Sequence, residues 1–410
     1  LCFQQTHIIL LFILDIYRSM FATGVGYIPP VEKTGWKSRK SFREREKLIF
    51  APFFHEVVTK KVFYPYHLFK LLLGFILVPL RMIASLFFIA LCSFLCRALR
   101  LFGSVDEFGA FSHKSRCGRV ARIFTIITAR SLLFITGHYF IRVKGKSHQT
   151  KIAVAGPHSS WADILLLISQ GYTSFISSSF VRKIPLVGLI AATSGSIFVD
   201  RYDKDSRSKV RKALIARAQD KDAPGIIVFP EGATTNAKML IQFKAGIFRA
   251  GVPVQGALIR YPHMFDRPYW DVNAALPHLC VMLSQFINHV SITFLDAHYP
   301  TKEELADPFL FANNVRREIA SAGKLMTSSL TQRHKLLYQD WIFHQISWGE
   351  LIKKIESEFH TSEKDLIRIG CKDLSEDPSK YLKEMSETLP MSKDDSGDDQ
   401  EFQDMVAMVE

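Results

Sequence analysis

The residues best suited to chemistry fall in two short blocks, His158-Ser159-Ser160-Trp161-Ala162-Asp163 and Phe229-Pro230-Glu231-Gly232-Ala233-Thr234-Thr235-Asn236. A His five residues before an Asp can supply a general base and a carboxylate to orient it. In a continuous α-helix those two side chains would point about 140° apart, so they meet only if His158 lies in a loop and the helix starts after it. Gly156-Pro157 breaks the preceding apolar run and Ser160 is a good N-cap, which puts Asp163 in the first helical turn. There it can hold one imidazole nitrogen and leave the other open as base. The competing reading is structural: Ser160 and Asp163 also have capping-box spacing, in which the Asp only ties back the helix start.

The second block follows Ile226-Ile227-Val228-Phe229, a buried-strand pattern. Pro230 ends that strand, Glu231 is delivered at its carboxyl end, and Gly232 allows close backbone approach. On its own the block reads equally as a plain turn with a solvated Glu. Ser159 invites a nucleophile reading, but it lacks the Gly-x-Ser-x-Gly elbow.

At 410 residues the chain has room for one catalytic domain with appendages, or two modest domains. Hydrophobic residues make up 48% and are concentrated in segments rich in Phe, flanked by the basic residues that give a formal charge of +13. That arrangement favours an anionic membrane surface over nucleic acid, for which no RRM or KH signature is present. The six cysteines are scattered, so neither a disulfide framework nor a metal site is expected. Asn-x-Ser/Thr acceptors are absent, which fits a catalytic region facing the cytosol. The first residue is Leu1, and residues 8–16 are apolar apart from Asp15, short and without a positive leading region, which argues against a cleaved signal peptide.

Five regions follow from these shifts in character: a polar, basic arm over 1–60, partly disordered; a membrane-associated helical region over 61–145; a catalytic domain over 146–322; a helical region over 323–372; and an acidic, disordered tail over 373–410. Residues 71–96 are almost wholly apolar, and as one helix would be about 39 Å long, enough to cross a bilayer. Arg81 and Pro79 complicate this, since a central Arg costs roughly 2.5 to 3.5 kcal/mol on insertion scales and Pro removes a helix bond. The alternative is a re-entrant hairpin bent at Pro79-Leu80-Arg81. Residues 120–135, interrupted by Arg122 and Arg130, read as an interfacial helix at the entrance to the catalytic domain.

From Lys151 the pattern becomes α/β. Runs at 152–156, 196–199, 226–229, 254–259 and 291–295 alternate with helical patterns, notably 206–219 with Val210, Ala213 and Leu214 on one side. The predicted architecture is a mixed, largely parallel sheet flanked by helices, with the sites at strand ends. Residues 334–359 read as helical.

Taken in order, the two blocks, Gly195-Ser196-Ile197-Phe198-Val199-Asp200-Arg201, Phe243-Lys244-Ala245-Gly246 and Val252-Pro253-Val254-Gln255 resemble the motifs of the lysophospholipid acyltransferase family, nearest its lysophosphatidylcholine acyltransferase branch. The resemblance covers roughly residues 151–295. It implies a glycerolipid-acyltransferase-like fold and transfer of a fatty acyl group from acyl-CoA, as co-substrate, to the free hydroxyl of a lysophospholipid. His158 and Asp163 would be catalytic; Arg201, Glu231, Gly232 and Lys244 would bind substrate. No metal or other cofactor is implied, and no third ligand lies near His158 and Asp163; because the thioester is already activated and its leaving thiol has a pKa of about 8.5, direct attack by the acceptor hydroxyl needs no acyl-enzyme and a single base suffices. The implied partners are acyl-CoA, the lysophospholipid and the bilayer, with no nucleic acid; the implied address is the endoplasmic reticulum membrane, with the site facing the cytosol.

Departures from the family pattern bear on the acceptor. Lysophosphatidate acyltransferases often carry Thr-Arg after Pro-Glu-Gly, where this chain has Ala233-Thr234, which weakens the case for an acceptor with a phosphate monoester. Arg260-Tyr261-Pro262 matches the phosphatidylcholine-remodelling branch, while Gly256 and Ala233 replace its usual Pro and Thr. Rival readings are a glycerol-3-phosphate or lysophosphatidate acyltransferase, and a non-catalytic lipid-binding or tethering protein. Some relatives carry EF-hands in the acidic tail, but Ser392, Ser396 and Gln403 would stand at ligand positions here, so no calcium site is predicted.

Overall fold

The computed structural model describes residues 49–53, 64–106, 109–112, 114–199, 204–220, 222–262, 269–271, 275–344 and 346–360. Arg201 and the acidic tail with its excluded calcium site lie outside the described residues. Seven strands form one sheet: β1 (Ile141–Lys144), β2 (Ile152–Gly156), β3 (Ser174–Ser178), β4 (Ile197–Val199), β5 (Ile226–Val228), β7 (Val254–Arg260) and β8 (Val290–His298), in the order β1-β8-β7-β2-β5-β3-β4. A short β6 (Met239–Leu240) pairs separately with β9 (Met326–Thr327). Only β7 and β8 run antiparallel; every other neighbouring pair is parallel. The sheet is therefore mixed and largely parallel, as its sequence pattern implies. β1 and β3 are not foreseen, because Ile-Arg-Val-Lys is short and charged and β3 carries three serines.

The apolar faces of the central strands alternate. Ala153 and Ala155 of β2 join one core with α2 (Arg116–Ile135) and α3 (Ala162–Ser169); Ile152 and Val154 join the opposite core with α6 (Lys204–Gln219) and α9 (Pro308–Gly323). Between these elements run α4 (Ser179–Lys183), α5 (Val187–Thr193), α7 (Ala275–Ser284) and α8 (Lys302–Ala306). The last described elements are α10 (Gln332–His344) and α11 (Trp348–Phe359). Residues 49–53, read from composition as part of a loose arm, pack Ile49, Phe50 and Phe53 against Leu337, Tyr338 and Trp341 of α10, with Phe50 stacked on Tyr338 at 4.3 Å.

The apolar segment is one continuous helix, α1 (Tyr64–Leu99), that runs through Pro79 without turning back. The hairpin alternative at residues 79–81 is not formed. Gly74, Val78, Arg81, Cys92 and Cys96 are buried at helical spacing along one side, against α7 at one end and α2 and α5 at the other. At 1.5 Å per residue, residues 74–96 lie along the sheet domain over about 33 Å. The opposite side exposes Leu72, Phe75, Ile76, Leu80, Ile83, Leu86, Phe87 and Phe94. Leu72–Leu99 is long and apolar enough to cross a membrane. A helix held to a folded domain along most of its length, however, can meet lipid only with its free side.

Candidate active site

His158 lies in the loop between β2 and α3, at the carboxyl end of β2, and α3 begins only at Ala162. The predicted geometry follows: His158 Nδ1 lies 2.8 Å from Asp163 Oδ2. A carboxylate can only accept, so Nδ1 carries the proton and Nε2 keeps its lone pair. The His158 side chain is 16% exposed, so Nε2 is not sealed from a reactant. Phe229 stacks on the ring at 4.0 Å and fixes its plane.

Helix capping departs from expectation. Trp161, not Ser160, occupies the cap position and makes no side-chain cap bond; Ser160 Oγ accepts only a long 3.3 Å bond from the Ala162 N–H. Asp163 takes over, accepting on Oδ2 from the N–H groups of Ser159 (2.7 Å) and Ser160 (2.9 Å) as well as from the imidazole. One carboxylate thus both ties back the helix start and holds the His158 imidazole. Its other oxygen, Oδ1, accepts from the Tyr261 hydroxyl at 2.5 Å. Asp163 and Tyr261 are buried, and burial, reinforced by the Asp163 charge, pushes the Tyr261 phenol well above its usual range, so the hydroxyl stays protonated and donates to Asp163 Oδ1. Ser159 is fully buried, which removes it as an accessible nucleophile.

The second block cradles the first. Glu231, at the end of the neighbouring strand β5, is fully buried and accepts the His158 N–H on Oε1 at 2.7 Å and the Ile241 N–H on Oε2 at 3.3 Å. The His158 carbonyl in turn accepts from the Thr235 N–H at 2.8 Å. Burial pushes the Glu231 carboxyl up to about 8, partly opposed by those two amide donors. Sequence reading assigns Glu231 to substrate, but both of its oxygens face backbone, so its geometry is that of a positioning group.

Gly232 has φ +70°, and a Cβ there would fall 2.6 Å from Lys244 Nζ. The Lys244 ammonium lies over this turn and donates to Gln332 Oε1 at the start of α10. Lys335 of α10 is buried and donates to Thr234 O (2.6 Å) and Oγ1 (2.8 Å). Desolvation pushes its ammonium down to about 8. Asn236 ties the end of the block to residues 49–53, through its N–H to Pro52 O (2.9 Å) and Nδ2 to Ala51 O (2.7 Å).

The structure therefore brings together His158, Asp163, Glu231, Gly232 and Lys244. Tyr261, Thr235 and Lys335 are partners that sequence reading gave no role: Thr235 lies within the second block and Tyr261 within a branch motif, while Lys335 meets Thr234 across a separation of 101 residues. Among the described residues, no group of three or more His, Cys, Asp or Glu side chains could hold a metal ion.

Comparison with known proteins fits this geometry. The Acyltransferase family profile matches residues 140–260, from the start of β1 to the end of β7. The chain is 32% identical over 307 residues to the lysophospholipid acyltransferase LPEAT1 of Arabidopsis thaliana, covering 64% of this chain and 77% of that protein. It is 32% identical over 297 residues to the lysophospholipid acyltransferase LPCAT4 of Xenopus tropicalis (71% and 56% covered), and 33% identical over 265 residues to the lysophosphatidylcholine acyltransferase 2B of Mus musculus (62% and 50% covered). The chain thus spans only about half the length of the frog and mouse relatives. A solved structure, the 1-acyl-sn-glycerophosphate acyltransferase PlsC of Thermotoga maritima, aligns with 62% of this chain and 97% of its own at 18% identity, with a TM-score of 0.42. That likeness is too distant to carry the assignment.

Proposed function

The chain belongs to the lysophospholipid acyltransferase family, and on that premise we propose that it transfers a fatty acyl group from acyl-CoA to the free hydroxyl of a lysophospholipid, with lysophosphatidylcholine preferred. It is an acyltransferase. The observation that carries the reading is the 2.8 Å contact between His158 Nδ1 and Asp163 Oδ2, inside a loop whose backbone is held on both sides. His158 Nε2 takes the proton of the acceptor hydroxyl as the oxygen attacks the thioester carbonyl. The new C–O bond forms, the C–S bond breaks, and CoA leaves as a thiolate that recovers the proton from the imidazolium. Asp163 keeps the imidazole in the required tautomer and stabilises its charged form. This sequence of steps needs no acyl-enzyme, metal or organic cofactor.

Gly232, Lys244 and Arg201 are assigned to the acceptor's phosphate and head group, with Glu231 acting through the His158 backbone. Lysophosphatidylcholine is favoured because position 234 carries Thr, with Lys335 bonded to it, and no Arg in the turn is available for a phosphate monoester. The free side of α1 supports binding to a membrane surface, where the lysophospholipid and the acyl chain both partition. We assign the protein to the endoplasmic reticulum membrane with its site on the cytosolic side, where acyl-CoA is available. An assay of CoA release from one acyl-CoA with lysophosphatidylcholine, lysophosphatidylethanolamine, lysophosphatidate and glycerol 3-phosphate tests the acceptor. Highest kcat/KM with lysophosphatidylcholine is expected, and preference for lysophosphatidate or glycerol 3-phosphate would overturn the head-group reading.

A further inference from the structure

The end of α2 and the loop after α7 bring large apolar side chains to one stretch of surface: Phe134 (65% exposed), Phe286 (58%) and, next to it in the loop, Ile287 (41%). Tyr139 joins them, with ring centroids 5.0 Å from Phe134 and 6.4 Å from Phe286. Single exposed apolar residues are ordinary; a cluster of this kind on a rigid frame marks a contact surface. The frame is rigid because Asn288 donates its N–H to Gly137 O (2.8 Å) and Nδ2 to Thr136 O (2.7 Å), lacing the loop to the end of α2.

Arg81 joins this surface to α1. Its Nη1 donates to Leu283 O (2.8 Å) and Gln285 O (2.5 Å), and its Nη2 to Phe286 O (3.2 Å) and Tyr139 Oη (3.2 Å). The guanidinium thus caps carbonyls at the C-terminus of α7, where a cation complements the helix dipole and the carbonyls lack partners within the helix. A charge in an apolar helix that finds four acceptors inside the protein has no need of water. Next to Arg81, Leu80 and Ile83 face outward from α1. The free side of α1 and the Phe286 surface therefore meet at one level.

We propose that the surface formed by Phe134, Tyr139, Phe286 and Ile287 inserts into the acyl region of the same leaflet as α1, giving the acyltransferase domain a second membrane contact. The proposal rests on the membrane-surface reading of α1. It brings the leaflet to the edge of the site: His138, beside Tyr139, has its ring 6.2 Å from that of Tyr261, which bonds Asp163.

The test places the photocrosslinker p-benzoylphenylalanine at Phe286, at Phe87 on the free side of α1, or at Phe309 on α9, packed on the other face of the sheet, in the full chain bound to phosphatidylcholine vesicles. Lipid adducts at Phe286 and Phe87 that clearly exceed those at Phe309 are expected. Adducts at Phe87 with none above the Phe309 level at Phe286 overturn the proposal and leave the membrane reading of α1 intact; none at either site overturns both. Crosslinks from Phe286 to protein, whether this chain, a second copy or a partner, also overturn it. In vesicle flotation, Phe286→Ser with Ile287→Ser should weaken partitioning roughly tenfold or more, and unchanged partitioning would contradict the proposal.

Discussion

The backbone N–H of His158 donates to Glu231 Oε1 at 2.7 Å, and this bond joins the two chemistry-bearing blocks into one device. The Thr235 N–H returns the contact to the His158 carbonyl, so His158 is gripped through its main chain while its ring is held separately by Asp163. Asp163 fixes the ring and Glu231 fixes the backbone.

The role of Glu231 can be separated from that of a substrate ligand. Glu231→Gln keeps an acceptor for the His158 N–H and should retain activity within about tenfold; Glu231→Ala leaves a buried donor unpaired, at a cost of roughly 1 to 3 kcal/mol, and should lose activity roughly ten- to a hundredfold. The carboxyl is raised from 4.5 to about 8 by burial, so folding favours its neutral form. Its contribution to stability is therefore full below 4.5 and is lost as pH rises toward 8. Relative to Glu231→Gln, the wild-type denaturation midpoint should fall between pH 5 and 8. Parallel curves for the two proteins would contradict the assignment.

Tyr261→Phe removes one hydroxyl and should lower kcat by about tenfold with little change in KM, because the hydroxyl positions Asp163 and does not touch substrate. Unchanged kcat in Tyr261→Phe would mean that the hydroxyl serves packing alone.

Gly232→Ala meets the φ of +70° as its main obstacle, because Lys244 Nζ, 2.6 Å from the new Cβ, ends a flexible side chain that can swing aside. A loss of roughly 1 to 3 kcal/mol in stability is expected. Adding Lys244→Ala should therefore recover little of that loss. Thermal unfolding of the single and double variants checks this, and a double variant restored to wild-type stability would contradict the backbone account.

The dyad and the sheet are legible in the sequence because both depend on local spacing: Gly156-Pro157 forces the loop that frees His158, and the apolar runs of β2, β5 and β7 mark central strands. What escapes is non-local or depends on shape. Nothing near Tyr261 or Lys335 announces that they close on Asp163 and Thr234. The carboxylate of Glu231 looks like a ligand group until burial shows it facing two amides. Arg81 looks like an obstacle to membrane insertion until the C-terminal carbonyls of α7 are placed around it.

The most direct test of the central claim is CoA release dependent on lysophosphatidylcholine, with wild type and His158→Ala bound equally to vesicles. The account predicts a loss of about 10²- to 10⁴-fold in the variant, the range a positioned base supplies. Release that stays within about tenfold of wild type, from folded and membrane-bound His158→Ala, would contradict it.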